Sequence, residues 1–518
     1  MNRKTHKILA AALAVLMTAA ISFAGCTQNS SAKKDAGGNK VTWWCQFYPA
    51  YSQMYENYSE VPFYQELQKR TDVEIEFIHP TVGQEAEAFG LLMAARDYPD
   101  IFPSTFYKGG AEGALSDGVA VDLKETIETG AAPYIQKTFR EHPEWDKMVR
   151  TSDGKYPGFP YMSTDPSLGS WQGIQIRQDY LDRVNLEKPE TIAEWETVLT
   201  AFRDQLGVEY PMSMLSMDVL AKAMSGAFST YNDYYLKDGK VVYGPAEPEY
   251  KEFLTTMKDW YGKKLLDQDF GTQDEKTFRA KVASGQTGAY FHSVGGGMGT
   301  FAATVKENDP NGKLAAVKFP VLNKGDEPRF GFWSLLYNGT VECISSSCKN
   351  FGAAVRLLDY GYSDEGKLLW NFGIEGKSYE MKDGLPYYTD DMLNNPDGLP
   401  AAQALLQYCH GPLGAPLHDP RYFEQYMPLS EQKEAPSIWT LSDVDWMLPY
   451  SPLTPEEVSR TSSKLSEIKT YVEEMSLKYI MGLEDFSGYE SYLEKLNTLG
   501  LQEVIKAKQA AQDRYASR

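Results

Sequence analysis

The sequence predicts an α/β chain folded as two lobes, and three observations carry that expectation. Its 518 residues are too many for a single ordinary core. Strand-like and helix-like segments alternate from residue 41 onward. Two stretches rich in Gly, Pro and Ser interrupt the alternation as connections do: "DGKYPGFPYMSTDPSLGSW" at 153–171 and "NKGDEPRFG" at 323–331.

Arg3, Lys4 and Lys7 precede the apolar run "ILAAALAVLMTAAISFA", which ends in small residues before Cys26. This pattern is that of a secretory signal over residues 1–25. A run of about 17 apolar residues is at the short edge of a membrane span, so an uncleaved anchor is the alternative. The polar stretch "TQNSSAKKDAGGNK" lacks apolar periodicity and reads as a flexible tether over 26–40.

The first lobe opens as β-α-β-α-β. Strand-like "KVTWWCQF" leads to helical "VPFYQELQKRT". In "VEIEFIHP", Val73, Ile75 and Phe77 alternate with Glu74 and Glu76 as in a half-exposed strand. Helical "QEAEAFGLLMAARDY" and the short strand "PDIFPS" complete the unit, the start of a parallel-rich sheet. A second lobe starts near residue 170 with "GIQIRQDYLDRVNL". It continues through "TIAEWETVLTAFRDQL", where Thr191 is placed to cap the helix with Glu194 three residues on. The last 65 residues, from "SPLTPEEVSR", read almost wholly as amphipathic helix. The expected division is 41–165 plus 336–400 for lobe 1 and 166–335 plus 401–518 for lobe 2. The crossings are expected near 160–171, 328–336 and 395–405.

A formal charge of −20 argues against nucleic acid as a partner. With 34 Tyr and 10 Trp the chain is rich in side chains that offer an apolar face and a polar tip, which suits amphiphilic ligands such as sugars. Cys45, Cys343, Cys348 and Cys409 are too scattered for a disulfide framework. Cys343 and Cys348 are near enough in sequence to pair, but free buried thiols are expected. "GGGMG" at 295–299 lacks the residues of a phosphate loop and reads as close backbone packing after a strand, possible beside a ligand. His410 and His418 frame "CHGPLGAPLHD", but their spacing matches no common metal site. No catalytic motif is present, so no catalytic residue, cofactor or metal is expected. Glu66 and Arg70, at i,i+4, read as a solvated helix face. Trp195 and Trp260 fall on apolar helical stripes, whereas Trp171, Trp333 and Trp439 lie in or beside loops.

The ordered set "FAGC", polar tether, "VTWW", "ELQKRTDVEIEFIHP", "LLMAARDYPDIF", "IRQDYLDRVNLEKPETIAEWETVLTAF", "SDEGKLLWNFGIEGKSYEMKDGLPYYT", "SPLTPEE" and "GLQEVIKAKQAAQDRY" resembles the extracellular solute-binding lipoproteins of family 1. These are the LplA-like and YtcQ-like receptors of bacterial ABC importers, and the resemblance covers essentially the whole mature chain. "FAGC" resembles a lipobox with Phe23 in place of the usual Leu, which makes Cys26 the expected lipidated residue. The resemblance implies a two-lobed, periplasmic-binding-protein-like fold of type II with a hinge. It implies a monomer held by its lipid on the extracellular face of the cell membrane, closing on an oligosaccharide or other small molecule and passing it to two permease subunits. Some relatives follow the helix matching "ETVLTAFRDQ" with a calcium loop. Here Gln205 runs straight into "LGVEYPMSM", so no calcium is expected.

Sugar recognition needs aromatic faces and planar polar groups. The candidates are Trp44, Tyr48 and Tyr51 from the first lobe, Trp171, Arg177, Ser293 and Trp333 around the second lobe and hinge, and Trp370 and Glu375 beside them. Because neighbouring strand residues face opposite sides, Trp43 and Trp44 cannot both stack on one ligand, and Trp43 is expected to be core. Two other readings stay open: a lipid-anchored polysaccharide-active enzyme, and a peptide receptor of the same fold.

Overall fold

The computed structural model describes residues 37–52, 54–399 and 401–518. The expected signal over 1–25, the lipidated Cys26 and the tether up to residue 36 lie outside the described residues. Residues 37–39 carry no regular structure, and Lys40 already belongs to the first strand.

Two sheets are built, one per lobe. The first has the order β2-β1-β3-β12-β4, with β1 Lys40–Trp44, β2 Glu74–Ile78, β3 Ile101–Pro103, β4 Phe159–Pro160 and β12 Val341–Ile344. Strands β1, β2 and β3 are parallel, joined through the helices Pro62–Thr71 and Glu85–Ala95 as the β-α-β-α-β reading expects. On β2, Ile75 and Phe77 are buried while Glu74 and Glu76 face solvent. Strand β12 returns from the other lobe and runs antiparallel to both β3 and β4.

The second sheet has the order β11-β6-β10-β7, with β6 Gln172–Arg177, β7 Tyr210–Ser213, β10 Thr287–Ser293 and β11 Leu314–Val317. Thr191 and Glu194 form the expected capping box on the helix Ile192–Leu206, which buries Trp195, Leu199 and Phe202 against this sheet's core. The two-stranded ribbons β8 Tyr234–Lys237 with β9 Lys240–Tyr243 and β13 Tyr379–Lys382 with β14 Leu385–Tyr388 are accessory. The helices Pro455–Ile480, Tyr489–Thr498 and Leu501–Ala516 pack on the second core, matching the helical C-terminal reading.

Three stretches of chain run side by side between the lobes. Ser334 N donates to Gly169 O at 3.0 Å, Ser163 N to Leu336 O at 2.8 Å and Tyr161 N to Thr340 O at 3.1 Å. Strands β5 Met162–Ser163 and β15 Leu417–His418 pair in parallel and add the third stretch. The paired residues 161–169 lie within the Gly/Pro stretch at 153–171, and 334–340 follow the one at 323–331. The third crossing does not lie at 395–405, and the expected lobe boundary at residue 400 moves with it. Leu406, Ala415 and Leu417 belong to the first core, and Met427 is the next residue in the second. Backbone pairing explains the shift: Phe63 N donates to Gln407 O at 3.1 Å, His410 N to Trp370 O at 3.0 Å, and the Asn371 side chain to Leu417 O at 2.9 Å.

Trp439, read from the sequence as a loop ring beyond simple packing, is fully buried, and its indole N–H donates to Ile174 O at 3.1 Å. Its ring lies so close to the backbone of Gly173 on β6 that no Cβ fits between them. Gly173→Ala should therefore cost about 1–3 kcal/mol through displacement of the indole. Urea unfolding followed by tryptophan fluorescence measures this, and an unchanged midpoint would contradict the packing argument.

Candidate functional site

A cavity of about 650 Å³ opens between the lobes, at the carboxyl ends of β1 and β10 and against the crossing segments. Crevices beyond the carboxyl ends of strands are where open α/β sheets bind ligands. The first lobe contributes Trp43, Tyr48, Thr105, Phe106 and Tyr161. The second contributes Trp171, Ser293, Gly295 and Gly296, and the crossings contribute Asn338, Glu342, His410, His418, Tyr422 and Tyr426.

Local chain geometry places Tyr48. After β1, His79 accepts from Tyr58 N at 3.2 Å through Nε2, and its Nδ1 donates to Cys45 O at 3.0 Å. Tyr58 in turn donates its hydroxyl to Gln46 O at 3.0 Å, so the segment leaving the strand is held from behind. Tyr48 then stands half-buried at the cavity, while the turn Pro49–Ser52 carries Tyr51 back into the core between Phe47, Tyr58 and His410. The aromatic crowd around residues 43–64 is thus mostly core, with one face open to the cleft.

Glu342 forms part of the floor. It stands on β12, is nearly buried, and its Oε2 accepts the Trp43 indole N–H at 3.1 Å. With no cation beside it, burial pushes its carboxyl up to about 8, so it is protonated at neutral pH. His410 and His418 have their pKa pushed down to about 4 by burial. As neutral rings they donate from His410 Nδ1 to Gly414 O at 2.8 Å and from His418 Nε2 to Gly411 O at 3.0 Å. The other nitrogen of each ring is left as an acceptor. Among the described residues, no group of three or more His, Cys, Asp or Glu side chains is arranged to hold a metal ion.

Gly295 and Gly296 belong to a π-helical turn, Val294–Gly299, that follows β10. The Tyr426 hydroxyl approaches Gly295 closer than a Cβ would permit, so glycine here lets an aromatic residue of the third crossing close the cavity wall. The sequence reading of "GGGMG" as close backbone packing after a strand describes this contact.

Of the residues proposed from the sequence, Tyr48, Trp171 and Ser293 line the cavity. The other six lie elsewhere. Trp44 is on the opposite face of β1 from Trp43, packed against Phe89 and Phe106 at ring distances of 5.0 and 5.2 Å. Trp43 is core as expected, 3% exposed, and it also lines the cavity. Tyr51 is fully buried. Arg177 is 2% exposed and pairs with Asp179 at 2.8 and 2.7 Å, Asp309 lying 3.5 Å from the same guanidinium, which makes it a clamp inside the second lobe. Trp333 packs on Gly169 in the hinge, and Trp370 packs against Phe63, Tyr161 and His410. Glu375 is exposed beside the β13–β14 ribbon. Glu342, the two histidines, Tyr161, Tyr422 and Tyr426 were not proposed. They sit on crossings and a returning strand whose partners are hundreds of residues away in sequence. Their one local signal was the His-framed loop at 409–419, which was weighed only for metal.

Cys45, Cys343 and Cys409 carry free thiols, and Cys343, Cys348 and Cys409 are buried. No protein-family model matches the chain. The solved structure of the alginate-binding protein AlgQ2 without calcium superposes with a TM-score of 0.77 at 22% identity, covering 93% of this chain and 100% of that one. FusA of Streptococcus pneumoniae, an ABC-transporter substrate-binding protein solved with kestose, superposes with a TM-score of 0.74 at 18% identity, covering 92% and 99%.

The chain has the fold of a two-lobed solute-binding protein.

This solute-binding fold extends to sequence relatives along nearly its whole length. Lipoprotein LipO of Bacillus subtilis is 23% identical over 511 residues, spanning 95% of this chain and 96% of LipO. The polygalacturonan/rhamnogalacturonan-binding protein YtcQ of the same organism is 22% identical over 516 residues, spanning 93% and 94%. YtcQ is among the receptors that the ordered motifs resemble.

The Glu342 carboxyl has a pH consequence. Its folded pKa lies above the ordinary carboxylate value, so the stability associated with its proton is full below about 4.5 and is lost as pH rises to about 8. Glu342→Gln keeps an acceptor for Trp43 without a titrating proton. The variant should therefore gain about 2–4 kcal/mol relative to the native chain between pH 5 and pH 9. Urea unfolding at both pH values tests this, and a difference that does not change with pH would refute the assignment.

Proposed function

We propose that this chain is the lipid-anchored, extracellular substrate-binding protein of an ABC transporter, which captures an oligosaccharide by lobe closure and delivers it to two permease subunits. The observation that carries the reading is the interlobe cavity, with aromatic faces from both lobes and hydroxyl, imidazole and carboxyl groups between them. Trp171 stands at the end of the first crossing, in T-shaped contact with Phe332 of the second at 5.3 Å, so its position depends on the hinge. A ligand that touches Tyr48 on one lobe and Trp171 and Ser293 on the other stabilises the closed arrangement, which is how ligand binding and closure become one equilibrium. The volume lies in the range of small-ligand sites, roughly 300–1,000 Å³. YtcQ is named for polygalacturonan/rhamnogalacturonan binding and FusA for fructooligosaccharide transport, which supports a carbohydrate here.

The cleft's chemistry and these relatives support binding rather than hydrolysis. Glycosidases use two carboxyl groups across the scissile bond. Among the described residues lining this cavity, Glu342 is the one acid. We further propose that the chain acts as a monomer, anchored through Cys26 with residues 26–40 as its tether.

An oligosaccharide ligand should raise the melting temperature without release of shorter products. Tyr48→Ala and Trp171→Ala should each weaken binding about tenfold, equivalent to about 1.4 kcal/mol, with the free protein's melting temperature kept. Tyr51→Ala should instead destabilise the fold by about 3–5 kcal/mol. Differential scanning fluorimetry and calorimetric titration read both quantities, and turnover of the sugar would overturn the receptor reading.

A further inference from the structure

Among the described residues, the cavity wall holds Cys45, Glu342, His410, His418 and six tyrosines as its ionisable groups. Each is neutral at pH 7. Burial keeps the Cys45 thiol and the tyrosine hydroxyls, such as those of Tyr48 and Tyr161, above their ordinary values, and the Glu342 carboxyl keeps its proton. Both imidazoles are uncharged. Two arginines near the wall are committed elsewhere. Arg421, beside the cavity-lining Tyr422, points its guanidinium at Asp419, with Nε 2.9 Å from Oδ1. Arg279 pairs with Glu275 at 2.6 Å, donates to Gly296 O at 3.2 Å and lies 3.3 Å from His292 Nε2.

We propose that the cleft selects uncharged oligosaccharides and rejects those bearing uronate groups. The proposal rests on the carbohydrate reading above and narrows it to one ligand class. A uronate carboxylate drawn between the lobes sheds water that hydroxyls and ring faces replace poorly, and a buried charge without a counter-charge is expensive. A sugar hydroxyl meets in Glu342 a neutral carboxyl able to donate through Oε1 while Oε2 holds Trp43. The net charge of −20 adds to the bias against anionic chains.

Calorimetric titration of the mature chain tests the proposal. The ligands are fructo-, malto-, xylo- and galacto-oligosaccharides, oligogalacturonates as free acids, the same oligogalacturonates as methyl esters, and a set of short peptides. The expected result is binding of a neutral saccharide or of the methyl esters, with the free acids at least about 100-fold weaker, as a carboxylate desolvation cost of a few kcal/mol requires. Free acids that bind as tightly as any neutral saccharide would overturn the selectivity and leave the carbohydrate reading standing. Binding of peptides and of no saccharide would overturn both.

Discussion

The arrangement of the cleft depends on one strand that arrives from the other lobe. Val341–Ile344 leaves the second crossing and inserts antiparallel between β3 and β4, so the first sheet cannot be completed until the second lobe has been traversed. Its insertion fixes the height of the crossings through the hydrogen bonds of Ser163 and Tyr161 to Leu336 and Thr340. It also sets Glu342 opposite Trp43. A β-strand alternates its faces, so the same four residues send Cys343 into the core and Glu342 towards the cavity.

Around this strand the cleft solves a solvation problem by withdrawing charge. Its polar atoms are satisfied by local partners: a loop carbonyl for each histidine, an indole N–H for the carboxyl, a backbone carbonyl for Tyr58. What remains open to a ligand is a set of ring faces and neutral donors and acceptors, which hold their direction because those partners lock them. The clamps that do carry charge, such as Arg177 with Asp179 and Lys281 with Asp267, are kept inside the second lobe.

Much of the fold was legible because its signals are local. The alternation of Ile75 and Phe77 with Glu74 and Glu76, the Thr191 cap and the Gly/Pro crossings each depend on neighbours a few residues away. The third crossing was not legible, because the helix and loop over 401–417 pack by partners such as Phe63 and Trp370 that sequence spacing does not reveal. The site divided in the same way. Tyr48 could be found from its place after a strand, but choosing Trp44 over Trp43 needed to know which face of β1 looks into the crevice. The difference in burial between Tyr48 and Tyr51 was likewise hidden, because a single turn at Pro49–Ser52 redirects the chain. Glu342 carried no local mark at all, since its indole partner Trp43 is 299 residues away in sequence.

The neutral wall has one more consequence. Its two histidines change charge near pH 4 and its carboxyl near pH 8, so between those limits no group facing the cavity gains or loses a proton. Hydrogen-bond donors and acceptors therefore keep their identities across the whole mildly acidic to neutral interval. A cleft lined with groups that titrate in this interval changes its hydrogen-bonding pattern with pH. This one carries its own tolerance of acidified surroundings, built from burial alone.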